Sequence, residues 1–295
     1  MPAYNYVDSF LTELQQKYAR ELTSAGLTTQ NANFMNAKTV KVPRLDVGGY
    51  KDHNRSGGWN RQAIANDFEL KVLTFDRDVE FFVDAMDVDE TNQILSAANT
   101  TNVFETEQAI PELDKYRYSK IHSDYVGMGG TPDTTALTVA NVLEVFDDLM
   151  MNMDEAEVPL EGRILYVTPT VHKLLKNAQE MQRFINVQAN NGVINRAVAQ
   201  LDDVTLVKVP SSRMKTVYDF SNGAIDGVGS KQINMILIHP SAVIAPIKHN
   251  AIYLWEPGSH TQGDGYLYQN RRYTDLFLIE RKVDGIQINV EGDGV

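Results

Sequence analysis

The feature that most constrains this chain is a pair of strand-like segments joined by a long, glycine-rich connection. The first segment, 37–45, alternates polar and apolar residues, and the second, 68–83, reads FELKVLTFDRDVEFFV; both patterns are typical of β-strands. The connection, 46–67, contains two Gly-Gly pairs and far exceeds the roughly 4–6 residues usual in compact domains. The pattern predicts a projecting ribbon. Because two strands alone are marginally stable in water, we expect the ribbon to rest on another surface, most simply a neighbouring subunit.

Charge is distributed unevenly around this ribbon. The 295 residues include 27 Lys and Arg against 39 Asp and Glu, a net charge of −12. Residues 78–161 hold nineteen acids and three bases, a balance of −16, whereas residues 38–77 hold eight bases and five acids, a balance of +3. Two solvated faces would explain either segment alone, but side by side they could form complementary contact surfaces between copies. The net acidity argues against a nucleic-acid coat held by phosphate contacts, which needs surplus Lys and Arg.

Motifs for catalysis and metal binding are missing from the sequence. The chain has no cysteine, which removes disulfides, cysteine-ligated metals and cysteine nucleophiles. The six histidines form no close ligand pair, and neither a phosphate-binding loop nor a G-x-S-x-G elbow occurs. The beginning of the chain does not resemble a secretory signal, and no apolar run approaches the length of a membrane span. We therefore expect no enzyme activity, no catalytic or metal site, no cofactor and no membrane contact.

The remaining elements indicate a mixed α+β fold without regular βαβ alternation. The expected helices cover 8–24, a segment opened by a capping box at Asp87-x-x-Glu90, the string IPELDKYRYSKI, and an amphipathic stretch from 131 to about 153. The string GRILYVTPTVHKLLKNA predicts a strand, a turn and a helix. The string INMILIHPSAVIAPI predicts a very apolar strand followed by a turn at Pro240. Further strands are expected at 204–209, 252–255, 271–283 and 286–290, with 256–270 as a loop and 214–232 irregular.

The order of these elements and several strings resemble the major capsid proteins of tailed bacteriophages with the Hong Kong 97-type fold. AKTVKVPRLDVGGYKDH and FELKVLTFDRDVEFFVD resemble the extended loop, or E-loop, of that family, and DVDETNQILSAANTTNVFETEQAIPELDKYRYSKI resembles its spine-helix region. ILYVTPTVHKLLK and LIHPSAVIAP resemble parts of the axial domain, and YLYQNRRYTDLFLIERKVDGIQI resembles the closing strands. The resemblance covers nearly the whole chain and rests on element order and these strings, without a single diagnostic motif.

The resemblance implies a division of the chain. An N-terminal helix and arm would occupy 1–36, the E-loop 37–83, the peripheral (P) domain with the spine helix 84–130 and 251–295, and the axial (A) domain 131–250. The irregular loop 214–232 would face the axis of a ring of subunits.

The resemblance also implies a structural role. Copies would form pentamers and hexamers that close into an icosahedral head, which encloses phage double-stranded DNA without sequence-specific binding. The head would carry a portal protein, belong to the virion and assemble in the cytoplasm of a bacterial host. Because the chain starts almost directly with the arm, we expect a separate scaffolding protein. The alternatives are an encapsulin-like compartment shell with an enzyme cargo, and a soluble metal-dependent hydrolase that uses the acidic face 144–161.

Within this interpretation, the ribbon supplies the contacts between subunits. Its expected contact residues are Arg44, Lys51, Arg55, Trp59 and Arg61, and the acidic partners on a neighbour are Asp84, Asp87, Asp89 and Glu90. Trp59 is either an apolar anchor on that neighbour or a side chain packed within its own ribbon, and the sequence does not favour one over the other.

Overall fold

The computed structural model describes residues 21–29, 38–53, 57, 59–90, 97–178, 200–259 and 261–292. Most of the predicted first helix, 8–24, lies outside these ranges. The described helices are α1 (Ala85–Glu90), α2 (Ala97–Phe104), α3 (Ile110–Gly127), α4 (Val142–Glu155) and α5 (Pro169–Asn177), with a π-helical turn at Glu105–Ala109 between α2 and α3. The strands are β1 (Thr28–Thr29), β2 (Thr39–Val47), β3 (Ile64–Val72), β4 (Phe75–Asp84), β5 (Ile164–Val167), β6 (Gln200–Leu201), β7 (Val204–Lys208), β8 (Tyr218–Asp219), β9 (Ile225–Asp226), β10 (Ile233–Ile238), β11 (Val243–Trp255), β12 (Gly265–Thr274), β13 (Phe277–Leu278) and β14 (Ile286–Val290). The fold is therefore α+β, as the sequence predicts.

A central sheet of order β14-β10-β5-β7-β6 organises the main core. Successive residues of a strand point to opposite faces, and the buried side chains divide accordingly. Ile236 and Ile238 pack on one side with Ile121 of α3, whereas Leu237 packs on the other with Phe146 of α4. The strand–turn–helix prediction is confirmed here, since β5 leads into α5 and the Thr168 hydroxyl accepts a hydrogen bond from the Val171 amide (3.4 Å) at the helix start.

A second sheet has the order β1-β11-β12-β4, with β13 also paired to β11. The prediction of a loop at 256–270 is wrong in its second half, because β12 begins at Gly265 and pairs with β4 over its whole length. The residue boundary expected at 250/251 falls inside the continuous strand β11. The closing strand β14, grouped with the P domain in the sequence division, pairs with β10 of the central sheet.

Two predicted helix starts differ from the structure, one because of a long-range contact and one because of a local cap. The helix expected from residue 131 begins at Val142, because the Asp133 backbone bonds to β14 instead: its N–H donates to Ile288 O and its C=O accepts from Val290 N, both at 2.8 Å. The helix expected to open with a cap at Asp87 begins at Ala85. The Asp84 carboxylate accepts from the Met86 amide (2.9 Å), so Asp84 does the capping.

The irregular segment 214–232 contains the small hairpin β8–β9. The ammonium group of Lys115 on α3 donates to the carbonyl of Ala224 (2.5 Å) and lies 5.4 Å from the centre of the Tyr218 ring. Phe220 packs edge-on against Tyr116, with ring centres 5.7 Å apart. The hairpin is therefore fastened to α3, and its position relative to a ring axis stays a prediction.

Candidate functional site

The ribbon is a separate two-stranded sheet. β2 and β3 are antiparallel and in register from Thr39 opposite Val72 to Val47 opposite Ile64, and neither pairs with another strand of the described residues. Nine residues per strand correspond to a length of about 30 Å. The second predicted strand, 68–83, is in fact divided between β3 and β4, because the Thr74 amide donates to the Asp275 carboxylate (2.7 Å) at the break.

The register divides the ribbon into two chemically different faces. Residues directly opposite one another share a face, which places seven apolar side chains together: Pro43, Leu45, Val47, Ile64, Phe68, Leu70 and Val72. All seven are exposed, and the exposed fraction ranges from 47% for Phe68 to 71% for Ile64 among the six other than proline. We call this set the apolar ribbon face. The contact residues expected from the sequence are mostly bases and omit this face, although the period-two alternation of both strands indicates it.

The opposite face of the ribbon is charged and turned toward its own chain. Arg44 lies 3.5 Å from Asp46 and 3.9 Å from Glu280, and Arg281 also pairs with Asp46. The hydrogen bond from Arg281 holds the pKa of the Asp46 carboxyl below its usual value. On the same side, Val40 joins a small core at the ribbon base with Leu73, Tyr273 and Phe277. The apolar ribbon face therefore points away from the body of the subunit.

The ribbon tip presents aromatic and basic side chains to solvent. Hydrogen bonds from the Asn60 side chain to the carbonyls of Lys51 (3.3 Å) and Asp52 (2.8 Å) shape the tip. Trp59 is 92% exposed, and its ring centre lies 6.2 Å from that of His53. Lys51 and Arg61 are exposed and form no ion pair with a described acid. The fifth expected contact residue, Arg55, lies outside the described residues.

The expected acidic partners lie at the end of β4 that is farther from the ribbon, and in the helix that follows. Asp84 is the last residue of β4, and Asp87 lies half-buried in α1. Asp89 and Glu90 belong to the same helix, but their side chains lie outside the described part of the structure. The ten residues of β4 correspond to about 33 Å. The structure thus does not bring the two sets together within one chain, and their contact between chains stays a prediction.

Part of the acidic segment 78–161 is neutralised within the subunit. Among the described residues, five of its carboxylates form ion pairs of 2.7–3.1 Å: Arg77–Glu112, Lys120–Asp124, Arg163–Asp154, Arg213–Asp114 and Arg272–Glu105. On α4, burial and then the nearby Asp202 and Asp148 raise the pKa of Asp147. Within the described ranges no group of three His, Asp or Glu residues could hold a metal ion. No helix of the described residues is long and apolar enough to cross a membrane.

Similarity to known proteins is visible in the fold and not in the sequence. No protein-family model and no curated protein matches the sequence. Solved structures that match nearly the whole chain include the mature capsid of bacteriophage PhiM1, with 13% identity, a TM-score of 0.72 and coverage of 99% of this chain and 93% of that one. The capsid of cyanophage P-SCSP1u has 10% identity, a TM-score of 0.69 and coverage of 98% and 94%. The capsid of the Myoviridae phage XM1 has 13% identity, a TM-score of 0.59 and coverage of 97% of each chain. The chain therefore has the Hong Kong 97-type fold of phage capsid proteins.

Proposed function

We propose that this protein is a major capsid protein, whose copies assemble into an icosahedral shell of pentamers and hexamers around phage double-stranded DNA. The observation that carries the proposal is the apolar ribbon face, which points away from the body of the subunit and stays exposed in the described part of the chain. Exposed apolar patches of this kind mark interaction sites in soluble proteins. The similar structures are those of phage capsids, which supports a shell as the assembly.

Burial of the apolar ribbon face would stabilise a contact substantially. Fully covering one large aliphatic or aromatic side chain contributes about 1.5–3 kcal/mol, part of which is offset by the entropy lost on association. A ribbon that covers a different surface on the next copy makes a heterologous contact, and such contacts generate closed rings when the rotation between subunits closes. The ribbon of each copy would then cover one neighbour, and the ribbon of another neighbour would cover that copy.

Pairs of opposite charges would fix the orientation of the ribbon on the neighbouring subunit. The exposed bases Lys51 and Arg61 at the ribbon tip, with Arg55, would face the acids Asp84, Asp87, Asp89 and Glu90 of a neighbour. Arg44 would contribute less, because it already contacts Asp46 and Glu280 of its own chain. Trp59 would be an apolar anchor on the neighbour, since its own ribbon leaves it 92% exposed.

The shell would serve as a container and catalyse no reaction. A net charge of −12 suits a wall along which DNA is packed and later released, because binding to phosphates requires surplus bases. A portal protein and a separate scaffolding protein would take part in assembly in the host cytoplasm, and the protein would end in the virion.

A ribbon deletion tests the proposal. Residues 41–70 are replaced by Asn-Gly, which forms a two-residue hairpin turn between Val40 and Lys71, directly opposite one another in the register. The core contact of Val40 at the ribbon base is retained. We expect a folded subunit by circular dichroism that no longer forms shells in sedimentation. Normal shells from the shortened protein would refute the role of the ribbon, and protein cargo in place of DNA in native shells would favour the encapsulin-like alternative.

A further inference from the structure

A cavity of about 480 Å³ lies between the second sheet, the helical segment from α2 to α3 and the tip of the β8–β9 hairpin. Its volume falls in the range of roughly 300–1,000 Å³ that is usual for small-molecule sites. The π-helical turn Glu105–Ala109 contributes Gln108 and Ala109 to its lining, and such turns are frequent at functional sites. Three elements that are distant in sequence thus enclose one space.

Two arginines face each other across the sheet at this cavity. Arg77 on β4 and Arg272 on β12 are directly opposite in the register, so their side chains share one face of the sheet. Asp76 and Asp78 also border the cavity, but successive residues point to opposite faces, which places their side chains on the other face with Arg271. Like charges directly opposite each other destabilise a sheet, so this pair needs acceptors. We call the space the arginine cavity.

Glutamates from the helical wall satisfy the two arginines only in part. Arg77 donates through Nε to Glu112 on α3 (2.8 Å), and its two terminal nitrogens have no acceptor in the described part of the chain. Arg272 donates through Nη2 to Glu105 (3.1 Å) and through Nε to Asn250 (3.4 Å), which leaves Nη1 without an acceptor among the same residues. Each glutamate therefore orients a guanidinium group, while part of the planar fork of N–H donors stays available.

Another part of the lining is apolar and consists of Phe75, Val79, Phe104, Ala109 and Leu113. The Phe75 ring is held in place by stacking on Tyr116, with ring centres 3.7 Å apart, and its centre lies 5.9 Å from the guanidinium carbon of Arg77. The cavity thus places apolar surface directly beside available guanidinium donors. A ligand that matches it has an anionic group joined to an apolar body.

We propose that the arginine cavity binds a small organic carboxylate with an apolar body. The carboxylate lies between Arg77 and Arg272, accepts hydrogen bonds from their terminal nitrogens and separates their like charges. Planar guanidinium groups match the geometry of a carboxylate, which makes such contacts strong and specific. The apolar body packs on Phe75 and Phe104. The inference goes beyond the proposed shell function and does not depend on it.

Benzoate is the probe that tests the site, and benzamide is a neutral molecule of the same shape. Each is titrated into the unassembled full-length subunit, and chemical shifts in NMR spectra give the dissociation constant. We expect saturable binding of benzoate and binding of benzamide that is weaker by about tenfold or more, because hydrogen bonds to charged groups are the stronger ones. Inorganic phosphate has no apolar body and should also bind more weakly than benzoate. Benzoate should raise the midpoint of thermal unfolding, because a ligand of the folded state stabilises that state.

Variants of the arginines assign the binding to this cavity. Arg77→Gln should weaken benzoate binding by about tenfold or more. Arg77→Lys keeps the charge beside Glu112 but lacks the planar fork, so we expect it to fold and still to bind benzoate more weakly than the unmodified chain. Arg271→Gln is the matched control: it changes the residue next to Arg272, whose side chain lies on the opposite face of the sheet, and it should leave benzoate binding unchanged.

The inference fails if benzoate shows no saturable binding, or if benzamide or phosphate binds as tightly as benzoate. It also fails if Arg77→Gln and Arg77→Lys both fold and bind benzoate like the unmodified chain. None of these results concerns the assembly of shells, so the proposed function would stand in each case.

Discussion

The carboxylate of Asp114 accepts a hydrogen bond from the guanidinium group of Arg213 (2.9 Å), and both side chains are buried. The same carboxylate accepts from the amides of Thr23 (3.1 Å) and Ser24 (3.0 Å). Arg117, also buried, donates to the Ser24 carbonyl (3.0 Å). One acid on α3 thus ties the base of the N-terminal arm to the segment that follows β7.

Loss of this charge should destabilise the subunit. Asp114→Asn keeps the size of the side chain but leaves the buried guanidinium group of Arg213 without its counter-ion, so we expect the free energy of unfolding to fall by about 3–5 kcal/mol. Urea unfolding of the unassembled subunit measures the change. Asp124→Asn is the matched control, since its partner Lys120 lies one turn away on the surface of the same helix and such pairs contribute about 0.3–0.5 kcal/mol. Equal effects of the two changes would contradict the assigned role of Asp114.

The apolar ribbon face should matter for assembly and not for folding. Phe68→Ser with Leu70→Ser removes two side chains that are about half exposed, so we expect little change in the unfolding midpoint but loss of shells in sedimentation. Asp67→Ser with Glu69→Ser alters adjacent residues on the charged face of the same strand and should leave assembly intact. If the serine changes at Phe68 and Leu70 unfold the unassembled subunit, the apolar ribbon face belongs to the core of the subunit, which would contradict this prediction.

The imidazole of His122 should titrate below the usual range. Burial on α3, and then the charge of Lys231, lower its pKa from 6.5. As the pH falls through 6.5, the unfolded chain binds this proton before the folded chain, so the contribution of His122 to stability falls until the folded pKa is passed. An NMR titration of the unassembled subunit measures the pKa directly, and Lys231→Gln should raise it part of the way back. A pKa at or above 6.5 would contradict the described surroundings.

The inner face of α4 should dominate the stability of the central core. Phe146 is buried against the sheet, and we expect Phe146→Ala to cost about 3–5 kcal/mol. Met151 lies exposed on the same helix, and Met151→Ala should stay within about 0.5 kcal/mol. Chemical unfolding of both variants checks the difference, which would vanish if α4 packed in another orientation.

The sequence predicts elements well where local pattern decides them. Thr168 and Pro169 mark the start of α5 by capping chemistry, and the alternation of 37–45 predicts β2. Predictions failed where distant residues decide. The break between β3 and β4 depends on Asp275, about two hundred positions away, and the non-helical backbone at Asp133 depends on β14.

For the candidate site, the sequence pattern predicts the ribbon but not the face of the ribbon that is apolar and exposed. The bases were conspicuous in a chain of net charge −12, whereas the apolar ribbon face emerges only when the register pairs Phe68 with Pro43 and Ile64 with Val47. The sequence places Arg44 on a neighbour, whereas Arg44 contacts Glu280 of its own chain, in a segment that no local pattern connects to the ribbon.

Electron microscopy of the purified chain, alone and with the proposed scaffolding protein, tests the central claim most directly. We predict closed shells in which the density of each ribbon, 39–72, lies on an adjacent subunit with its apolar face covered. A chain that stays monomeric under all assembly conditions, or shells in which the ribbons lie free in solvent, would contradict it.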